Sequence, residues 1–309
     1  MLDAKAAPGL PPLPYDAWVD TKETLHLFCQ IIGKIRMAAH PKLNHWWHVT
    51  LYPSVRGLTT GRVPYGNGSF EIVLDMIDHQ VVASSSDGDR TAFDVPGKSV
   101  AEFYAATMAA LDRLGVTLAI NTMPYDNKSK TPFEADSEHS AYDTDAVHRY
   151  WQAISSIATI MEVFRGRFDG KSTPVHLYWH SFDLALTRFS GRRAPLENAR
   201  TQSDREAYSH EVISFGFWPG DDNAPMPSFY SYTYPEPKGL AETALEPEGA
   251  AWIDSNGSAL AIYSYDAMRA EADPAKALLG FMESAGQAGA RLAEWDIEAL
   301  THLYADERV

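Results

Sequence analysis

The sequence predicts an α+β fold of two pseudo-repeated units, each a largely antiparallel sheet with flanking helices. Three observations carry that prediction. Stretches of helical apolar periodicity alternate with short runs rich in aromatic and β-branched residues. Two-residue hairpin signals stand at Asp87-Gly88 and Asn256-Gly257, where both residues tolerate positive φ. The element order of the first part of the chain then returns in the second: helix, histidine-bearing strand, further strands, hairpin, capped helix.

A proline-rich lead over residues 1–19 precedes the first unit, 20–140. In it, Asp20 and Glu23 have the spacing of a capping box, and Leu25, Phe28, Cys29, Ile32 and Ile35 recur at helical intervals. Residues 44–55 read as one strand, followed by strands at Phe70–Leu74 and Gln80–Ala83. Ser99 and Glu102 form a second capping box opening a helix that Gly115 closes. The second unit, 141–309, opens with a helix from Asp145 to Phe168 whose stripe runs from Val147 to Phe164. Pro174 stops it, and Val175–Phe189 reads as a single strand. Glu211–Phe217 and Ser228–Tyr234 are further strands, and Asp273-Pro274 caps the last long helix.

The repeat is carried by residues as well as by order. Trp47-His48 with Arg56 matches Trp179-His180 with Arg188, at an offset of 132 positions (180 − 48). The second copy is lengthened by loops at 190–209 and 219–240. The two units are expected to pack as one globular body with a ligand pocket between them.

Composition narrows the class. With 45% apolar and 22% charged residues the chain buries a substantial core, and its net charge of −15 opposes nucleic acid and anionic membranes. The aromatic strands around 216–237 lack the interleaved Lys and Arg of a base-stacking platform. The single cysteine, Cys29, makes no internal disulfide and reads as a buried thiol. Neither a signal peptide nor a membrane-spanning run is recognisable, so the expectation is a soluble cytoplasmic protein without nucleic-acid or membrane partners.

Gly-rich phosphate loops, nucleophile elbows, His-Glu-x-x-His and Cys-x-x-Cys are all absent, so no cofactor is assigned. Chemistry is sought instead in the histidine and arginine clusters. Four residues of strand separate His176 from His180 by ~13 Å, too far for one ion. A divalent metal would have to be gathered across strands by His48, His180 and His210. Strand parity from Trp46 puts Trp46, His48, Thr50, Tyr52, Ser54 and Arg56 on one polar, aromatic face. Arg56, Arg188 and Arg192 form a candidate anion clamp, because guanidinium binds both oxygens of a carboxylate. A structural ion pair to Asp75 or Asp183 is the competing role for these arginines.

Two functional readings follow. In the first, a small-molecule enzyme uses His48, His180 or His210 as acid, base or metal ligand, oriented by Glu211 or Asp183. Arg56, Arg188 and Arg192 bind an anionic substrate group, and Trp46, Tyr52 and Tyr178 line the pocket. In the second, the same pocket belongs to a non-catalytic small-molecule binder or sensor. Either way the partner is an anionic or aromatic small molecule.

Gly33-Lys34-Ile35-Arg36, His45-Trp46-Trp47-His48, Arg56 to Thr60, Phe164 to Lys171, Pro174 through Pro195, Gly216 to Gly220 and Tyr234 to Pro237 also form a recognisable set. Together they resemble a bacterial family of chains of this length, defined only as a domain of unknown function. Position 180 departs from it, since some members have glycine where this chain has His180. The resemblance implies a single-unit cytoplasmic protein and brings no activity, cofactor or catalytic residue with it.

Overall fold

A computed structural model describes residues 9–195 and 201–301. Positions 1–8 of the proline-rich lead and 196–200 of the 190–209 loop lie outside the described residues. The fold is α+β, with antiparallel sheets and flanking helices as the sequence predicts. The chain divides into two compact units, one holding 1–43, 47–155 and 176–182, the other 44–46, 156–175 and 183–309.

In the first unit, helix α1 (Val19–Ala39) is buried along most of its length. It starts directly after a turn at Tyr15–Ala17, with Trp18 at its cap position and no side-chain cap. Asp20 and Glu23 therefore lie inside the helix and do not form the expected box; Glu23 instead takes a 3.0 Å ion pair from Lys22. Strands β1 (Tyr52–Pro53), β2 (Gly57–Thr59), β3 (Val63–Tyr65), β4 (Gly68–Asp75), β5 (Gln80–Ser85) and β6 (Arg90–Asp94) follow. They pair in the order β1-β2-β4-β5-β6, with β3 also on β4. Phe70, Ile72 and Leu74 alternate into the core, as a half-buried strand requires. Asp87-Gly88 turns β5 into β6 with Gly88 at φ 96°. Helix α2 (Val100–Arg113) opens on the full Ser99/Glu102 capping box, and its Phe103 stacks on Phe28 of α1 at 3.9 Å.

The predicted strand over 44–55 does not form. Asn44–Trp46 is a short 3-10 turn in which His45 (φ 54°) and Trp46 (φ 62°) are both left-handed, and pairing begins only at Tyr52. Two successive positive φ values break an extended chain, so the alternation counted from Trp46 has no strand to rest on. The predicted strand Val175–Phe189 is likewise two. β7 (His176–Tyr178) bridges Leu51 through Leu177, and the chain then turns at 179–182, where Phe182 N–H donates to the Tyr178 carbonyl. Phe182 is left-handed at φ 60°.

Helix α3 (Thr144–Arg165) starts within one residue of its predicted beginning and ends three residues before the predicted Phe168, and the division between units falls within it, after Ser155. The second unit holds β8 (Asp183–Arg193), α4 (Gln202–Ala207), β9 (His210–Trp218), β10 (Ser228–Tyr234), β11 (Ala251–Ser255) and β12 (Ser258–Ser264). Its strands pair in the order β11-β12-β10-β9-β8. Helices α5 (Tyr265–Ala270), α6 (Pro274–Leu292) and α7 (Ile297–Leu300) complete it. Asp273 caps α6 with Pro274 at the first turn, as read from sequence. Gly289 lets α6 approach the sheet, since a Cβ there would stand 2.1 Å from Thr233 Oγ1. No helix among the described residues is long and apolar enough to cross a membrane.

Gly33 has a comparable role in the first unit, where a Cβ would fall 2.1 Å from the buried Trp179 ring. Gly33→Ala gains helix propensity but forces that indole aside, so a net loss of about 1–3 kcal/mol is expected. Urea unfolding checks it; an unchanged or raised midpoint would show that the ring gives way freely.

Candidate functional site

The second unit contains a cavity of ≈ 280 Å³, and Arg188 of β8 lines it. Residues 183–189 are all buried, so the sheet carries this guanidinium inward, and Arg188 is only 9% exposed. One terminal nitrogen donates to the Phe164 carbonyl at the end of α3. The Phe164 ring lies 3.5 Å from the guanidinium carbon, with Phe168 at 4.9 Å and Phe215 at 5.9 Å. No carboxylate of the described residues forms an ion pair with it, and its Nε–H has no acceptor among them. Burial depresses its pKa to about 10, opposed by Glu283 and reinforced by Arg167, so it remains a cation at neutral pH.

Around this cation the cavity presents Glu283, Gln287 and Ala290 from α6, then Trp295, then Ile297 and Leu300 from α7. The Trp295 indole N–H is buried and likewise without an acceptor among the described residues. A second cavity of ≈ 200 Å³, lined by Glu211, Glu236 and Trp295 among others, lies in the same unit.

A cluster that strand parity missed also belongs to the second unit. His45, left-handed and 5% exposed, accepts a 2.7 Å hydrogen bond from Lys171 Nζ on its Nε2. Its Nδ1–H donates to the Ala207 carbonyl at 3.2 Å, which fixes the neutral tautomer. The His210 ring stands edge-on at 5.4 Å, and its Nδ1 lies 3.0 Å from Ser209 Oγ. Burial holds His45, Lys171 and His210 below their ordinary pKa values, and Lys171 lowers both histidines further. The left-handed backbone that delivers His45 was the feature hidden from a strand reading.

The first unit uses its polar interior to fix loops. His26 Nε2–H donates to the Trp179 and His180 carbonyls at 3.0 and 3.2 Å, while Nδ1 accepts from Asn127. Gln30 exchanges two 2.8 Å hydrogen bonds with the Tyr125 backbone. Lys34 donates to the Asn121 and Met123 carbonyls, and Arg36 to that of Thr60. The Gly33-Lys34-Ile35-Arg36 motif thus packs Trp179 and holds carbonyls in place. His176 is fully buried with both ring nitrogens unpartnered among the described residues, and burial pushes its pKa down to about 3.

The residues singled out from sequence separate into distinct environments. His48 is buried in the first unit, where Leu43 N–H donates to its Nδ1; burial, then nearby His40, lowers its pKa. His180 rests against Tyr125 and Tyr178, and Tyr178 also packs edge-on to His176. Tyr52 accepts from Arg36 at 3.4 Å. Arg56 is committed to Asp75 and Asp78, the structural pairing weighed against an anion clamp. Asp75 in turn accepts the Ile77 and Asp78 amides, so this pair closes a turn.

In the second unit Glu211 accepts from Ser190 and Arg192, and Arg192 also donates to the Ala293 and Glu294 carbonyls. Glu211 therefore orients Arg192 and not the imidazole of its neighbour His210. Asp183 accepts the Tyr230 hydroxyl. Trp46 occupies the left-handed turn beside His45. No three His, Cys, Asp or Glu side chains among the described residues are grouped to hold a metal ion, and His48, His180 and His210 are not such a group. Of the three proposed anion-binding arginines, Arg188 alone faces a cavity without a carboxylate partner among the described residues.

Fold and site together define an α+β protein of antiparallel-sheet units with a buried arginine facing a cavity in the second. The chain belongs to DUF5996, a family of unknown function, whose model matches residues 10–302. No curated protein and no solved structure matches it.

Buried neutral histidines give a pH signature. Burial lowers the His26 pKa from 6.5 to about 4. On acidification the unfolded chain takes up its proton first, so the stabilising contribution is complete above 6.5 and is lost as pH falls toward 4. The integrated effect is roughly 3 kcal/mol. Urea unfolding from pH 7 to 4 is expected to show a flatter pH slope for His26→Gln than for the unsubstituted protein. Equal slopes would remove His26 from the acid sensitivity.

Proposed function

We propose that this protein binds a small organic anion whose carboxylate sits on Arg188 within the cavity of the second unit. The observation that carries this reading is the buried guanidinium facing ≈ 280 Å³ of space with no carboxylate partner among the described residues. Burying a lone cation costs several kcal/mol, whereas its aromatic contacts return about 2 kcal/mol. A ligand carboxylate accepting from the terminal N–H groups would offset that deficit. The Phe168, Ile213 and Leu300 side chains suit an apolar ligand body.

This reading favours the non-catalytic binder or sensor over the acid–base enzyme. His48, His180 and His210 are not among the residues lining this cavity, nor are Glu211 and Asp183. Among the described residues the cavity lining offers an anchor and an apolar wall, and no imidazole to move a proton.

Calorimetric titration with 4-methylpentanoate and 3-phenylpropanoate, against their uncharged amides, tests the proposal. The carboxylates are expected to bind and the amides to bind at least tenfold more weakly, in line with loss of a charge-assisted contact worth ~1.5–3 kcal/mol. Arg188→Met should abolish the difference. No carboxylate binding at millimolar concentration, or equal binding by Arg188→Met, would refute it.

A further inference from the structure

The cavity carries one feature that a simple carboxylate leaves unused. Glu283 of α6 lines the same space as Arg188 and opposes the depression of its pKa, yet the two form no ion pair. Its Oε1 accepts from Gln287 Nε2 at 3.2 Å, one turn along the helix. The side chain is half-buried and keeps acceptor capacity toward the cavity. One chamber thus displays a cation and an anion that are not spent on each other.

We infer that the occupant is a free α-amino acid with an apolar side chain, its carboxylate on Arg188 and its ammonium on Glu283. This rests on the carboxylate reading above and specifies the ligand class. A carboxylate without an amine would meet Arg188 but leave Glu283 unpaired and repelling it, whereas a zwitterion meets both charges at once. The volume of ≈ 280 Å³ falls just below the range of drug-sized pockets, which suits a single metabolite of amino-acid size. Phe168, Ile213, Ala290, Ile297 and Leu300 provide an apolar wall for the side chain. Gln287 holds Glu283 on its α6 turn and so presets the ammonium acceptor.

The test pairs each amino acid with its desamino analogue on the intact protein: L-leucine against 4-methylpentanoate, and L-phenylalanine against 3-phenylpropanoate, by calorimetry at pH 7. At least one amino acid is expected to bind about tenfold or more tighter than its partner, the scale of one charge-assisted contact. In Glu283→Gln that preference should collapse while the desamino acids bind as well as before or better, a pattern that general destabilisation would not produce. Desamino acids binding as tightly as amino acids in the unsubstituted protein would overturn this inference and leave the carboxylate site standing. Failure of all four compounds to bind would overturn both.

Discussion

A guanidinium held inside a protein without an ion pair among the described residues is the constraint on which the functional account of the second unit depends. Arg188 gives up most of its hydration and receives one backbone carbonyl and three aromatic rings. Elsewhere in the chain Arg56 is clasped by Asp75 and Asp78, and Arg192 by Glu211, while Arg36 is as buried as Arg188, has no ion pair among the described residues, and donates to the Thr60 carbonyl and Tyr52. A chain with 41 Asp and Glu against 26 Lys and Arg has acids to spare. What sets Arg188 apart from Arg36 is the cavity, since β8 delivers this side chain between Phe164 and that space.

The first unit resolves its buried polar groups in another way. His26, Gln30, Lys34 and Arg36 along α1 spend their donors largely on backbone carbonyls, so one helix secures loops that lack regular hydrogen bonding of their own. Burial keeps His26 neutral, which lets it accept from Asn127 while donating on its other face. Such groups rigidify a fold and account for a motif that sequence alone invites one to read as chemistry. The His45–Lys171 contact sits between these cases, with a left-handed residue fixing an imidazole tautomer beside an amine.

Local signals were legible apart from the Asp20/Glu23 capping box, and tertiary ones were not. Ser99 with Glu102, Asp87-Gly88, Asn256-Gly257 and Asp273-Pro274 act within a few residues, and the elements they bound lie where the sequence puts them. The strands expected over 44–55 and 175–189 failed because His45, Trp46 and Phe182 adopt positive φ. Nothing in their residue types announces that conformation, since neither Gly nor Asn marks those three positions. Arg188 was nameable from its fit to carboxylates, as were Arg56 and Arg192. What distinguishes it, the absence of a partner among the described residues and a cavity beside it, arises from long-range packing. Trp295 and Glu283 carried no sequence signal at all, because helix residues join a site only once α6 and α7 lie over the sheet.

The central claim is that Arg188 is retained for a ligand and not for the fold. The unfolding free energy of ligand-free Arg188→Met against the unsubstituted protein addresses it most directly. If the cation awaits a partner, an apolar side chain of similar length is expected to leave stability within ~1 kcal/mol or to raise it, as when buried charges are replaced by well-packed apolar groups. A loss of ~3 kcal/mol or more would make Arg188 a structural keystone and contradict the account.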